Sequence, residues 1–517
     1  MLSLLLAAVA LAAGEYPVPP PEPVHGDVML GCYYFPGHFN PLRWRPMVEY
    51  GEPVPVLGYY RDGEPEVSDW HIRFALEHGI RFFVFDWYYD HTTRTVSFHN
   101  TALDDGFLRS RYGPLMRFGL MWCNESPGQP DYTRAHMVGL AEVLVERYLA
   151  RENYLRIDGR PMLWISRPLH LIDGFGADGL RDVIGEMNGV LAQAGIGPLF
   201  LVANATERLD EVARAGFDAV SAYNYPTAGM GPGERRAPYA TMVTGIRAIW
   251  RDVSERSSLP YIPPISPGWD SRPWYGEDTL VRTDPSPELF ERMCRDSLEF
   301  VDPKLNMVIA ECWNEFGEGS YVEPTLRYGF GSLDAMRRVF CPTAGPHRDL
   351  TPQALQVPVP VFDEIPSLTE ADVAAQGGNR VYNPGAERRW GWAYYDGSPA
   401  ERVTETPYAG RYCVRVPADK SGAKSLWLIA GEAGATYRVS ARVRCGPGAE
   451  AVVKVAPFRT AFTWAGRYVD IGRASGADWV EVAGQYVVPA DAPYISIELS
   501  VTGGDAWFDE ASVVKSD

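Results

Sequence analysis

The sequence has few of the features that mark zinc-binding, nucleic-acid-binding or membrane proteins. Its 517 residues include only seven cysteines, with no Cys-x-x-Cys pair and no His/Cys cluster, so no zinc site is expected. Lysine and arginine number 48 against 66 acidic residues, the net charge is −18, and no basic run offers contacts to phosphates. Beyond the N-terminus, no stretch is long and apolar enough to cross a membrane. Nucleic acid and a membrane span are therefore not expected.

The N-terminus is a short apolar run, MLSLLLAAVALAAGEYP, with small residues that suit cleavage. It is too brief to span a bilayer and is typical of a secretory signal peptide, although no Lys or Arg precedes it. We predict a signal peptide at residues 1–13, a Pro-rich leader at 14–27, and a secreted or periplasmic protein. The alternatives are a buried N-terminal helix and a mis-chosen start codon.

Between residues 28 and 340, short apolar runs alternate with amphipathic helical patterns. The eight runs begin at Val28, Ile80, Met116, Pro161, Pro198, Phe217, Tyr261 and Asn306. Near-continuous apolar strands joined by helices indicate parallel strands that are covered on both faces. Eight such units predict a (β/α)8 TIM barrel. A doubly wound open sheet is the alternative, weakened because no strand is followed by a Gly-rich phosphate loop.

The pattern changes after the barrel region. Residues 341–378 are rich in proline and are expected to be a linker or chain packed on the barrel surface. Residues 379–517 contain short alternating strands separated by Gly, Pro and Ala, which predict an all-β sandwich. Cys413 and Cys445 lie in this region, and the sequence does not decide whether they pair.

Polar and aromatic residues collect at the carboxyl ends of the predicted strands, the face on which barrel enzymes carry their active sites. The candidates for substrate contact are Tyr34, His38, Asp86, Trp87, Asn124, Tyr223, Trp269, Asp270, Arg272 and Asn314. For Tyr34 and His38, a packing or capping role is an equal alternative. Asp270 and Arg272 could instead form an ion pair within their loop.

The stretch ECWNEFGEGSYVEP, residues 311–324, follows the eighth predicted strand and holds a carboxylate pair. Glu315 and Glu318 are three residues apart and would share one face of a helical turn. Two carboxylates flanking a sugar bond suit glycoside hydrolysis, because burial and proximity move their pKa values apart. Gly317 and Gly319 remove side-chain bulk from the turn. On spacing alone, a solvated helix face is the ordinary alternative.

The motif WNEFGEGSYVEP resembles the signature of the glycoside hydrolase family 99-like proteins. That group includes endo-α-mannosidases and the related WbsX-type proteins, which are labelled glycosyltransferases. Three further stretches are similar to motifs of the group: YYFPGHF, FFVFDWYY and PPISPGWDSRPW. The resemblance implies a (β/α)8 barrel that cleaves an α-linked sugar with net retention and without a cofactor.

The resemblance also implies separate roles for the two carboxylates. A Glu in the position of Glu315 deprotonates the sugar's 2-hydroxyl, which attacks C1 to give a 1,2-anhydro sugar. A Glu in the position of Glu318 protonates the leaving oxygen and then activates water. Asn314 would orient a carboxylate or hydroxyl, Glu311 is expected inside the barrel, and Glu323 is expected to be structural.

Two positions depart from the family pattern. Phe316 replaces the usual Trp, and Gly317 stands where endo-mannosidases carry a bulkier His. The loop SPGWDSRP points to the WbsX-type branch, so the sugar and the linkage stay open. The leading hypothesis is a secreted retaining glycoside hydrolase, endo-acting on an α-mannan-like polysaccharide or glycan. The alternatives are a WbsX-type glycosyltransferase and a non-catalytic polysaccharide-binding protein.

In the C-terminal region, NPGAERRWGW and AWFDEASVV resemble family 4/9-type carbohydrate-binding modules. The resemblance implies a jelly roll with a structural Ca²⁺, for which Glu387 and Asp509 match the usual carboxylate positions. Three tryptophans could face sugar, with core packing as the alternative: Trp390, Trp392 and Trp427. A purely structural sandwich is the other interpretation.

Overall fold

The computed structural model describes residues 16–91, 94–96, 98–124, 132–395, 398–460 and 463–516. The chain divides into two compact units, Met1–Asp363 and Glu364–Asp517. The predicted signal peptide at residues 1–13 lies outside the described residues. Among the helices that are described, none combines the length and the apolar character that crossing a membrane requires.

Eight parallel strands form the centre of the first unit. They are β1 Met29–Tyr34, β2 Ile80–Trp87, β3 Arg117–Trp122, β4 Arg160–Ile165, β5 Phe200–Asn204, β6 Ala219–Ser221, β7 Pro264–Ile265 and β8 Met307–Ala310. Neighbouring strands pair in the order β7, β8, β1, β2, β3, β4, β5, β6. A parallel bridge between Val220 and Tyr261 joins β6 to the chain just before β7 and closes the sheet. The predicted barrel is confirmed.

Helices separate these strands or follow the last of them: α1 Arg45–Tyr50, α2 Pro65–Glu77, α3 Arg134–Leu144, α4 Pro168–Phe175, α5 Ala177–Gln193, α6 Leu209–Arg214, α7 Tyr239–Arg256, α8 Arg272–Tyr275, α9 Pro287–Ser297 and α10 Gly331–Phe340. Two further helices come later in the chain, α11 Pro352–Leu355 in the first unit and α12 Glu370–Ala375 in the second. Their starts follow ordinary capping chemistry. Pro287 opens α9, where a missing N–H costs nothing, and the side chain of Ser286 accepts from the Leu289 N–H at 3.3 Å.

Side chains on the barrel strands alternate between the interior and the helix layer. On β2, Phe82 and Val84 belong to the interior core. Their neighbours Phe83 and Phe85 instead contact Tyr34 of β1, with ring centroids 5.3 Å and 4.7 Å apart. This alternation decides which residues at the strand ends face the opening of the barrel.

The Pro-rich segment that follows α10 packs on the barrel as far as Asp363. The backbone of Phe362 donates to the Tyr59 carbonyl at 3.1 Å, and the Gln353 side chain donates to the Val56 carbonyl at 2.6 Å. Residues 341–363 thus belong to the same compact unit as the barrel.

The second unit contains two antiparallel sheets. One comprises Trp392–Tyr394, Gly422–Ser425, Ile429–Ala430, Glu450–Thr460, Thr463–Trp464, Val469–Ser475 and Tyr494–Thr502. The other comprises Glu401–Val403, Cys413–Val416, Thr436–Cys445, Val480–Val487 and Ala506–Lys515. The predicted all-β character is confirmed, and the finer assignment as a jelly roll stays a prediction. All seven cysteines are buried free thiols, so Cys413 and Cys445 do not pair.

Candidate active site

A cleft of about 660 Å³ opens at the carboxyl end of the barrel. Its size falls within the range of roughly 300–1,000 Å³ that is usual for small-molecule sites. Most barrel strands contribute to its lining, which includes Phe35, Asp86, Tyr88, Met121, Cys123, Ser166, Arg167, Asn204, Tyr223, Trp274, Tyr275, Glu315 and Glu318. Three carboxylates and several aromatic rings thus meet in one concave surface.

The carboxylate pair lies on a hairpin that follows β8. Strands Asn314–Glu315 and Ser320–Tyr321 pair antiparallel, and a 3₁₀ turn at Phe316–Glu318 connects them. Glu315 is only 4% exposed and Glu318 is half-buried. Both side chains line the cleft, so the pair is not a solvated helix face.

The Tyr223 hydroxyl links Glu315 to Asp86. It lies 2.9 Å from Glu315 Oε2 and 3.1 Å from Asp86 Oδ2, and its single proton serves one carboxylate at a time. Burial raises the pKa of Glu315 well above that of an ordinary glutamate, the charges of Glu318 and Asp86 raise it further, and the Tyr223 hydrogen bond opposes them. Once ionised, Glu315 is therefore a stronger base than an exposed carboxylate.

Glu318 is held through both its backbone and its side chain. Its carbonyl accepts a hydrogen bond from the Asp270 N–H at 2.7 Å, and its carboxylate is hydrogen-bonded to the Tyr275 hydroxyl. Burial and the charges of Glu318 and Glu315 raise the pKa of Tyr275 to about 12. The phenol therefore stays protonated and acts as a donor at neutral pH.

The two glycines of the turn make room for parts of the protein itself. A Cβ on Gly317 would lie 1.9 Å from the Trp274 indole, so Trp274 fills the space where a side chain would stand. Gly319 has φ of 66°, in the left-handed region, and a Cβ there would lie 2.5 Å from the Asp270 nitrogen. Trp274 also packs edge-on against Phe35, with ring centroids 5.5 Å apart.

Strand alternation turns two of the predicted residues away from the cleft. The Tyr34 hydroxyl lies 3.0 Å from His71 Nδ1, and the Trp87 indole donates to the Tyr148 hydroxyl at 3.2 Å. Both rings lie in the helix layer. Asp86, one position before Trp87, faces the cleft instead.

His38 and Asn314 hold the hairpin in place through buried contacts. The His38 ring is fully buried and stacks on Trp44 at 3.9 Å, and burial lowers its pKa to about 3, so it is neutral. The Asn314 side chain accepts from the Phe35 N–H at 3.0 Å and donates to the Tyr60 hydroxyl at 3.3 Å. Neither residue lines the cleft, which leaves them a positioning role.

Asn124 also acts through a neighbour. Its amide accepts from the Arg167 N–H at 2.8 Å and donates to the Arg167 carbonyl at 2.9 Å, which positions a residue of the cleft.

The predicted residues Trp269, Asp270 and Arg272 line a separate cavity of about 500 Å³. There Asp270 and Arg272 form the ion pair that was the alternative interpretation, with contacts of 2.8 Å and 2.6 Å.

The outer two carboxylates of the motif are internal, as expected. Glu311 lies inside the barrel, where Ser266 and Asn224 donate to it at 2.8 Å and 3.1 Å, and burial raises its pKa to about 8. Glu323 accepts from the Tyr60 hydroxyl at 2.7 Å. Neither lines the cleft.

Sequence reasoning missed Trp274, Tyr275 and Arg43. Trp274 and Tyr275 line the cleft, and the Arg43 guanidinium lies 5.3 Å from the Trp274 ring. A signal for both aromatic residues is present in the sequence, because Trp274 ends the PGWDSRPW motif that contains Trp269, Asp270 and Arg272, and Tyr275 directly follows it. Arg43 lies outside any motif, and only the fold brings it close.

In the second unit, the two carboxylates predicted to bind calcium accept hydrogen bonds from the backbone. Glu387 Oε1 and Asp509 Oδ2 each accept from two N–H groups of residues 408–412. The calcium site stays a prediction.

Of the aromatic residues in this unit, Trp392 and Trp427 are buried. Trp464 and Tyr468 are exposed, and their ring centroids lie 5.0 Å apart. Sugar binding by this unit also stays a prediction.

The family model of glycosyltransferase WbsX matches residues 50–336, more than half of the chain. The chain belongs to the WbsX glycosyltransferase family. Over 307 residues it is 27% identical to the uncharacterized protein WxcX of Xanthomonas campestris pv. campestris, a match that covers 54% of this chain. The same match covers 42% of WxcX, so this WbsX-family chain spans less than half the length of the curated relatives it matches.

Two solved structures are also similar to this WbsX-family chain. A glycoside hydrolase-like protein aligns at a TM-score of 0.49 and 19% identity, over 63% of this chain and 97% of that one. The GH99 endo-alpha-mannosidase of Bacteroides thetaiotaomicron aligns at a TM-score of 0.42 and 15% identity, over 62% of this chain and 97% of that one. The membership of the WbsX-type group that the motifs indicate is confirmed by the family match.

The packing of Trp274 on Gly317 in this WbsX-family barrel is testable by a double-mutant cycle. Gly317→Ala should destabilise the protein by about 1–3 kcal/mol, because the new methyl group overlaps the indole. In a Trp274→Ala background the same change should cost little, because its obstacle is gone. Urea unfolding of the four proteins measures the coupling. An equal cost in both backgrounds would show that Trp274 does not occupy this space.

Proposed function

We propose that this protein is a retaining glycoside hydrolase that cleaves an α-linked bond in a polysaccharide or glycan. One observation carries the proposal: the buried Glu315, held by Tyr223, shares a cleft with the less buried Glu318. Aromatic rings such as Trp274 and Tyr88 line the same cleft and can stack on the apolar faces of sugars. Two carboxylates in different environments are what glycoside hydrolysis requires.

In the proposed reaction, ionised Glu315 takes the proton of the sugar's 2-hydroxyl. That oxygen attacks C1, the bond from C1 to the leaving oxygen breaks, and the leaving oxygen takes the proton of Glu318. Water then gives a proton to Glu318 and attacks C1, and the epoxide oxygen recovers its proton from Glu315. Two inversions at C1 give net retention. The nucleophile is tethered to the reacting carbon, which removes much of the entropic cost of attack.

The surroundings of each carboxylate support these roles. A sugar hydroxyl is a weak acid, so its base benefits from the raised pKa that burial confers on Glu315. Tyr223 stabilises the ionised form by hydrogen bonding. Glu318 is nearer to solvent and can exchange its proton with water between the two steps.

The family name raises a glycosyltransferase as the second candidate. A nucleotide-sugar donor would bring a diphosphate into the cleft. The described lining carries three carboxylates, Asp86, Glu315 and Glu318, and the cation Arg167, with Arg43 close to Trp274. Carboxylates outnumber cations, which disfavours a polyanionic ligand. A neutral glycan meets no such repulsion. Transfer from a nucleotide sugar without hydrolysis of any glycan would overturn our choice.

Glu315→Gln and Glu318→Gln should each lower the rate of hydrolysis by about 10²–10⁴-fold, the usual contribution of acid–base catalysis. Each change keeps the shape of the side chain and removes its acid–base function. Reducing-end release from a panel of α-linked polysaccharides measures the rate. As a control, Glu277→Gln, an exposed carboxylate near the same loop, should leave the rate unchanged. Full activity in both catalytic variants would contradict the proposal.

Two neighbours of Glu315 should shift the pH profile in opposite directions. The proposed base must be ionised, so the acid limb of kcat/KM follows its pKa, which lies above that of an ordinary glutamate. Asp86→Asn removes a charge that raises this pKa, and the limb should move to lower pH. Tyr223→Phe removes a hydrogen bond that lowers it, and the limb should move to higher pH. Shifts in the same direction, or none, would show that Glu315 is not the ionising group.

Secretion is part of the proposal, because the N-terminal run of residues 1–13 is typical of a signal peptide. Expression in a bacterial host with the native N-terminus should export the protein and remove residues 1–13. N-terminal sequencing of the exported chain measures the cleavage site. An uncleaved chain retained in the cytoplasm would contradict this part and leave the catalytic proposal intact.

A further inference from the structure

A second group of ionisable side chains meets at the other end of the barrel. His78 directly follows α2 and precedes β2, so it lies at the amino end of the strands, opposite the cleft. His347 and Asp349 lie in the segment after α10 that packs on the barrel. The amino face of such barrels is associated with stability and not with catalysis.

Three atoms of this cluster converge. His78 Nε2 and His347 Nε2 each lie 3.3 Å from Asp349 Oδ1, and all three atoms lie within 4.8 Å of one another. The three atoms are buried, and none makes a contact with the geometry of a hydrogen bond to any described residue. The His78 side chain is fully buried. Buried polar atoms that make no well-formed hydrogen bond are rare and call for an explanation, such as a bound ion or water.

The spacing of these atoms fits a metal ion. In a tetrahedral site with metal–ligand bonds of about 2.0–2.1 Å, neighbouring ligand atoms are about 3.3 Å apart. This is the separation of Asp349 Oδ1 from both imidazole nitrogens. His78 Nδ1 lies 2.7 Å from the Phe74 carbonyl, which can only accept, so Nδ1 carries the proton. The lone pair of Nε2 then faces the cluster, the usual arrangement for a metal-binding histidine.

Two more carboxylates lie within reach. Glu77 Oε2 is 3.5 Å from His347 Nε2, and Asp334 Oδ1 is 3.7 Å from His78 Nε2. Either carboxylate, or a water molecule, can supply the fourth ligand of a tetrahedral site. Two imidazoles with one carboxylate suit zinc and its neighbours in the first transition row, whereas calcium and magnesium prefer oxygen ligands alone.

We propose that His78, His347 and Asp349 bind a divalent transition-metal ion of the zinc type. The ion fastens the segment 341–363 to the end of α2, and it serves stability because it lies on the face opposite the cleft. The sequence predicts no zinc site, because His78 and His347 lie far apart along the chain and form no recognisable motif. The proposed site differs from that prediction.

A proton is the competing occupant. Burial lowers the pKa of His78, but contacts to Asp334 and Asp349 outweigh it, and the pKa is raised overall. An imidazolium between these two carboxylates would need no metal. The same cluster would then respond to pH and not to zinc.

The test uses the full chain, stripped with a chelator and titrated with Zn²⁺ in a calorimeter and in thermal unfolding. We expect one ion per chain, a raised Tm, and slower proteolytic cleavage within residues 341–363. Co²⁺ should give the absorption bands of a tetrahedral site. Because replacement of the buried His78 risks misfolding, the variants are His347→Ala and Asp349→Ala, and each should weaken Zn²⁺ binding by at least tenfold.

The control is His25→Ala, which changes an exposed histidine outside the cluster and should bind Zn²⁺ like the native chain. The proposal fails if native protein binds no stoichiometric Zn²⁺, or if the two cluster variants bind it unchanged. A Tm that follows pH with an imidazole pKa but ignores Zn²⁺ would assign the cluster to a proton. None of these readouts depends on hydrolytic activity.

Discussion

Closure of the eight-stranded sheet is the constraint on which the site depends. The bridge from Val220 to Tyr261 joins the two ends of the sheet and places all eight carboxyl termini around one opening. Asp86, Tyr223 and Glu315 come from segments far apart in sequence, yet the Tyr223 hydroxyl contacts both carboxylates. An open sheet would leave its edge strands far apart, and this three-residue contact would be lost.

The buried carboxylates at this opening lower the stability of the folded protein. Glu315 is buried beside two other carboxylates, and Glu311 lies within the barrel beneath them, with a pKa raised to about 8 by burial. Buried like charges cost free energy, and a structure selected for stability alone would avoid them. The same burial makes Glu315 a stronger base. The destabilising burial therefore lies at the residue that the proposed reaction uses as its base.

The turn that carries the pair is shaped by its neighbours. Trp274 occupies the place of a side chain at Gly317, and Asp270 approaches the backbone of Gly319. Phe316, the other departure from the family pattern, is fully buried, with its ring 5.5 Å from Trp44 and 4.9 Å from Tyr321. The loop PGWDSRPW and the motif NEFGEG are thus packed as one unit. Both departures from the family pattern therefore lie within this packing.

The barrel, the all-β unit and the position of Glu315 and Glu318 after the eighth strand can be predicted from the sequence. These rest on local patterns: apolar runs, helical periodicity and a short motif. The orientation of Asp86 toward the cleft, and of Trp87 and Tyr34 toward the helices, depends on the folded barrel. Side chains alternate along a strand, so a shift of one residue exchanges the two faces, and strand ends do not reveal the register. The meeting of His78 with His347 and Asp349 likewise depends on how the chain returns to the barrel, and no local pattern encodes such a contact.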